Sequence, residues 1–221
     1  MSCAKSQLEV LPITLNPGIQ RLQLQNNNIR QDKYFAKHIH MDVINTMHMA
    51  YFILSLKDIH LNILRAVDAA LGFYAQLRYV DLSHNQLISL PDRGFIQQKK
   101  LIELRLSNNK IFKVTNSTFD GLKTVTILSL RKNFLEELSG SAFSGLASVE
   151  ELDLGQNRIQ TIAENTFLGL DHLRVLYLDD NDLQEVPSPA LRPLPHLAEL
   201  NLGLNNIKEI LPLDYLHNSE L

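Results

Sequence analysis

The chain has 221 residues, 45% of them hydrophobic and 20% charged, and a formal net charge of −3. That balance supports an ordered chain with a buried core, and its mild acidity argues against a nucleic-acid surface, which needs clustered lysine and arginine. No apolar run reaches the roughly 18 residues a membrane-spanning helix requires, and the opening MSCAKSQLEV lacks the basic and then apolar stretch of a signal peptide.

From the N-terminus, the first ordered element is expected at Leu22-x-Leu24-x-x-Asn27-x-Ile29. Two leucines flanking one position read as a short strand, because alternation at period two puts both on one face. The phrase returns at Asn85, then at an unvarying interval of 24 residues at Asn109, Asn133, Asn157, Asn181 and Asn205. Asn85 follows Asn27 by 58 residues, far more than one such unit. Each unit also carries an apolar residue five positions after its asparagine, at Val114, Leu138, Ile162, Val186 and Ile210. Joining Arg30 to Ala66 places Val67 in that slot and, with 35 residues removed, leaves a unit of 23. Segment 31–65 is therefore read as foreign to the repeat. It has no Gly or Pro, holds Met41, Met47 and Met49 of the four methionines and His38, His40, His48 and His60 of the eight histidines, and carries no copy of the phrase. An alternative exon, a retained intron, a gene-model error and a genuine insert all stay open.

A fixed period in the range of about 20–29 residues with this phrase is the mark of a leucine-rich repeat solenoid. The fold expected is a β-rich α/β solenoid: a right-handed horseshoe of about seven repeats with a parallel sheet on its concave face. Seven strands at about 4.8 Å spacing give a sheet roughly 30 Å long. Leucines point into the core and the residues between them point out. Asn27, Asn85, Asn109, Asn133, Asn157, Asn181 and Asn205 form an expected structural ladder, since an amide both donates to and accepts from buried turn backbone. Ten residues after each asparagine stands Phe95, Phe119, Phe143, Phe167, Leu191 or Tyr215, read as a stacked spine on the convex side. Gly121-Leu122, Gly145-Leu146 and Gly169-Leu170 close that segment in three repeats. A 24-residue unit with a Phe slot is the pattern of the extracellular repeat class; cytosolic repeats are longer and helix-bearing. Asn116-Ser117-Thr118 on that side is an N-glycosylation acceptor.

The expected organisation is then a truncated N-terminal cap over 1–20, the start of a first repeat over 21–30, the insert over 31–65, leucine-rich repeats over 66–211, and a truncated repeat without a C-terminal cap over 212–221. The opening CAKSQLEVLPITLNPGIQRLQL looks like the tail of a disulfide-bonded cap, with the lone Cys3 as its last cysteine. QLEVLPITLNPGIQRL, FYAQL (Phe73–Leu77), QKKL (Gln98–Leu101), EELDLGQNRI (Glu150–Ile159) and LYLDDNDL (Leu176–Leu183) resemble the Capricious/Tartan proteins of insects over about residues 3–30 and 66–211. In that pair the repeat bearing FYAQL runs straight on from the first asparagine repeat. The resemblance implies a single-pass plasma-membrane protein whose repeat ectodomain mediates cell recognition and adhesion. It further implies that the full-length relative is membrane-anchored, and that the partner is a cell-surface or matrix protein, a second copy of the same protein included.

No Gly-rich phosphate loop, Ser/His/Asp constellation or paired-carboxylate arrangement stands out from the repeat positions, so catalysis and cofactors are not expected. His38-x-His40 with His48 is the only metal-like cluster, and it lacks the Cys or regular His pairs of structural zinc sites, so no metal is expected. The candidate binding surface is the concave face, with Tyr79, Asp81, Glu103, Arg105, Arg131, Glu151, Asp153, Tyr177, Asp179 and Glu199 as its partner-binding residues. The middle reads basic at Arg105, Arg131 and Lys132. The repeats after it read acidic at Glu151, Asp153, Asp179 and Asp180. Such polarity suits an electrostatically complementary protein, and Tyr79 and Tyr177 have the polar-tipped aromatic character of binding hot spots. A secreted matrix or scaffold protein is the alternative to an adhesion receptor.

Overall fold

The computed structural model describes the backbone of residues 21–23 and residues 75–210 in full. Seven three-residue strands form one parallel sheet: β1 (Arg21–Gln23), β2 (Tyr79–Asp81), β3 (Glu103–Arg105), β4 (Ile127–Ser129), β6 (Glu151–Asp153), β8 (Val175–Tyr177) and β9 (Glu199–Asn201). Two-residue strands β5 (Glu137–Leu138) and β7 (Thr161–Ile162) make a second, smaller parallel pair. One short helix, α1 (Ser188–Leu191), completes the described elements. Every neighbour in the large sheet pairs in register, Tyr79 with Glu103, Glu103 with Ile127, Ile127 with Glu151 and onward to Glu199. The result is a right-handed solenoid of parallel strands with little helix, as the repeat predicts, about five turns of it between β2 and β9. β1 pairs with β2, Arg21 opposite Tyr79, although 58 positions separate them. Segment 31–65, Cys3, Asn27, Tyr215 and the histidine cluster lie outside the described residues.

Short strands suffice because each rung is one step of a continuous core. The central residues of β2, β3, β4, β6 and β8, Val80, Leu104, Leu128, Leu152 and Leu176, are buried to 1% exposure or less, and Leu200 of β9 is half-buried. Across the core Phe119, Phe143 and Phe167 are fully buried and stacked, with centroids 5.7 and 6.0 Å apart and planes within 18°. In the next repeat Leu191 takes the aromatic slot and the chain forms α1, opened by Pro187 and Pro189, whose fixed φ suits a first helical turn.

Beyond each strand the backbone turns sharply with its amides buried, and the ladder asparagines satisfy them. The Asn133 side-chain amide donates to Leu106 O of the preceding repeat (3.0 Å) and Leu130 O of its own (2.9 Å), while its oxygen accepts from Ile111 N (3.0 Å). Asn109, Asn157, Asn181 and Asn205 repeat this arrangement. The residue before each asparagine has a left-handed backbone, at His84, Asn108, Lys132, Gln156, Asp180 and Leu204, with φ between 54° and 57°.

Asn133→Ala should therefore cost about 2–4 kcal/mol, because it strands buried backbone groups in two repeats at once. Asn205→Ala should cost less, since Asn205 is only half-buried. Urea denaturation of the two variants checks the order. Equal losses would mean that the ladder bonds do not carry the turn.

Candidate functional site

Outward positions of the in-register strands fall into three rows along the solenoid. The first reads Tyr79, Glu103, Ile127, Glu151, Val175, Glu199; the second reads Asp81, Arg105, Ser129, Asp153, Tyr177, Asn201. Two residues further on, a third row reads Ser83, Ser107, Arg131, Gly155, Asp179, Gly203. The structure thus places all ten candidate residues on one continuous face. Most are half-buried, Arg105 and Glu199 are exposed, and Asp179 is buried. Between β2 and β6 a shallow groove of about 400 Å³ runs over this face, lined by Asp81, His84, Arg105, Ser107, Ser129 and Glu151 among others.

The Asp and Asn side chains of the second row hold their own turns. Asp81, Asp153 and Asn201 each accept from the backbone amide two residues on, at Ser83, Gly155 and Gly203, at 3.0–3.1 Å. These are local Asx bonds that favour a turn over continued strand.

At the centre, the contrast between basic and acidic repeats gives way to an internal clamp. The Arg131 guanidinium bridges Asp179 through two bonds, 3.1 and 2.6 Å, and reaches Asp153 at 3.2 Å. Asp153 also accepts from the Ser129 hydroxyl at 3.2 Å, and Ser129 bonds Ser107 at 2.7 Å. One polar chain so ties four consecutive repeats. Gly155 makes the bridge possible: a Cβ there would lie 2.2 Å from an Arg131 nitrogen and 2.6 Å from an Asp179 oxygen. The bond from Arg131 holds the Asp179 carboxyl below the ordinary carboxylate range, and the same pairing raises the already high pKa of Arg131. Arg105, the other basic candidate, pairs with Glu103 on its own strand. Lys132 is exposed with a left-handed backbone.

With both arginines occupied, the face is acidic rather than polarised. Its six carboxylates against two guanidiniums leave a formal charge of −4 across the ten residues. Glu151 has no ion pair among the described residues. Burial first, and then neighbouring Asp153, push its carboxyl above the ordinary value. Burial and the nearby Glu199 carboxylate likewise raise the Tyr177 hydroxyl. Away from this face, Asn116 is exposed while Thr118 of the same triplet is buried, its hydroxyl accepting from Thr115 N at 2.8 Å. No group of His, Cys, Asp and Glu among the described residues could hold a metal ion. None of the described helices is long and apolar enough to cross a membrane.

Sequence reasoning missed the clamp, the role of Gly155 and the serine relay. A signal existed in the third row, where one Arg, one Gly and one Asp stand at successive 24-residue steps.

Residues 75–131 and 123–183 match the leucine rich repeat family. The repeats over residues 75–183 are leucine-rich repeats. No curated protein sequence matches the chain. Among solved structures, TLR13 in complex with ssRNA13 superposes with a TM-score of 0.68 at 24% identity, over 93% of this chain and 24% of that one. An internalin (inlF) from Listeria monocytogenes superposes with a TM-score of 0.56 at 25% identity, over 69% of this chain and 42% of that one. The chain thus spans less than half the length of either. Leucine-rich repeat solenoids are protein-interaction scaffolds, and these repeats are a module of that class. The comparisons do not single out the insect pair within the family, and the RNA in the TLR13 complex gives no support to excluding nucleic acid as a ligand of this fold.

Two predictions follow from the electrostatics. Arg131→Met should cost about 1–3 kcal/mol, because it leaves Asp179, 12% exposed at its side chain, without its charged partner; the double variant with Asp179→Asn should recover part of this in a denaturation cycle. The lowered Asp179 pKa contributes stability above the unfolded value of about 3.9, lost as pH falls through the lower folded value. Glu151 has the opposite sign: its raised carboxyl costs stability at neutral pH, and the cost disappears as pH falls through its folded pKa. Glu151→Gln should therefore raise Tm at pH 7 and leave it unchanged near pH 4 or below. A lower Tm at pH 7 would contradict the assignment.

Proposed function

We propose that this chain is the partner-binding module of a cell-surface adhesion or recognition protein, non-catalytic and anchored to the membrane in its full-length form. The observation that carries the reading is the concave face: ten residues from six repeats brought onto one side of the sheet, with Tyr79 and Tyr177 set among acids along it. Large amphipathic aromatics on an otherwise polar surface are the groups from which binding hot spots are built. Three further points support an extracellular setting: the 24-residue unit with its Phe slot, the exposed Asn116 acceptor, and the strings resembling the insect Capricious/Tartan pair. A protein partner is favoured over nucleic acid because the face carries a formal −4, which repels phosphate. Asp153 and Asp179 hold the clamp as well as facing outward, so Tyr79 and Tyr177 are the cleaner probes of binding.

The test is adhesion of the 221-residue chain, coupled to beads, to cultured cells. Binding should be saturable, abolished by trypsin treatment of the cells, and reduced at least tenfold in Tyr79→Ala/Tyr177→Ala at unchanged Tm. Beads that bind only the matrix left after cells are lifted off would make the protein a secreted matrix or scaffold component instead. Expressed behind a secretion signal, the chain should carry a glycan that peptide-N-glycosidase removes and Asn116→Gln abolishes.

A further inference from the structure

The concave sheet face has an occupant chemistry written into its first row. Along Glu103, Ile127, Glu151, Val175 and Glu199, carboxylates alternate with aliphatic side chains on successive strands. Glu151 lies between Ile127 and Val175, both half-buried, with Asp153 beyond it on its own strand. The two arginines of the face are paired with Asp153, Asp179 and Glu103, so neither forms an ion pair with Glu151, and the charge of nearby Arg105 offsets its burial only in part. A half-buried carboxylate with apolar neighbours on both sides is costly to keep ionised without a cation. Charge complementarity and the aliphatic flanks specify the same complement: a side chain with an apolar stem and a cationic head, as lysine and arginine have.

We propose that the concave face binds a basic segment of a protein partner, with a lysine or arginine seated on Glu151 between Ile127 and Val175. This rests on the reading of the face as partner-binding and adds the chemistry of the partner. Successive acids in the row are two strands apart, about 9.6 Å. An extended strand repeats its side chains on one face at about 6.7 Å and does not match. A polyproline II segment repeats every three residues at about 9.3 Å and does. With Glu103 paired to Arg105, the fitting partner is an extended, proline-rich segment with basic residues three positions apart, set to meet Glu151 and Glu199.

The experiment uses the 221-residue chain and a fluorescent proline-rich peptide with lysine at every third position, followed by anisotropy. A peptide with glutamate in place of lysine and a single-stranded RNA oligonucleotide serve as comparators. The lysine peptide should bind saturably and lose affinity as salt rises. Glu151→Gln should weaken it at least tenfold, and Glu164→Gln, which removes an equal charge from an exposed site off the concave face, should leave it within twofold. An equal loss in both variants would reduce the effect to net charge and overturn the proposal. Binding of the glutamate peptide or the RNA instead, abolished by Tyr177→Ala, would overturn the basic partner while leaving the concave face as the binding surface. Cell adhesion that survives Tyr79→Ala/Tyr177→Ala would remove the face itself.

Discussion

Everything in this solenoid depends on burying turns that carry unspent backbone hydrogen-bonding groups. Each strand is three residues long, so nearly every repeat must reverse direction inside the protein rather than at its surface. One side chain per repeat resolves this. The asparagine amide donates across to the preceding repeat and back to its own, while its oxygen takes an amide proton from the preceding repeat's turn. An alanine fills none of these roles and a carboxylate cannot donate. The in-register sheet follows, because a ladder of identical turns fixes every strand at the same height.

Once strands are fixed in register, side chains 22 to 48 positions apart become neighbours, and electrostatics on the concave face can be set pair by pair. The molecule uses this in two opposite ways. Around Arg131 it satisfies charges internally, tying repeats together where Gly155 opens the space. Around Glu151 it leaves a half-buried carboxylate with no ion pair among the described residues, its burial only partly offset by Arg105. A protein selected for stability alone would neutralise that position or make it apolar.

The two sides of the solenoid divide the labour. The convex side holds the stacked phenylalanines, whose role is volume, and it admits change: Leu191 replaces the ring, and the backbone there tightens into α1. An exposed acceptor at Asn116 fits that side, since a glycan there leaves the sheet face open. On the concave side the backbone is invariant from strand to strand, and only the outward side chains differ. First-row side chains can therefore vary without touching the turns, whereas Asp81, Asp153, Asn201 and Arg131 also hold turns or neighbouring repeats in place.

The sequence by itself determined the repeat, its 24-residue period, the buried leucines, the phenylalanine slot and which residues share the concave face. All of these follow from local periodicity, because each repeat places the same position in the same environment. The left-handed residue before each asparagine was not legible, since His84, Lys132, Gln156 and Leu204 have no common chemistry; the turn imposes the conformation. Nor was the charge pattern. Read along the chain, Arg105 and Arg131 made a basic centre beside acidic repeats, and only three-dimensional reach showed Arg131 bridging to Asp179 across 48 positions and Arg105 closing on Glu103. Periodicity fixes where a side chain starts. Which partner a long, flexible cation reaches depends on distances across strands, and those exist only once the sheet has formed.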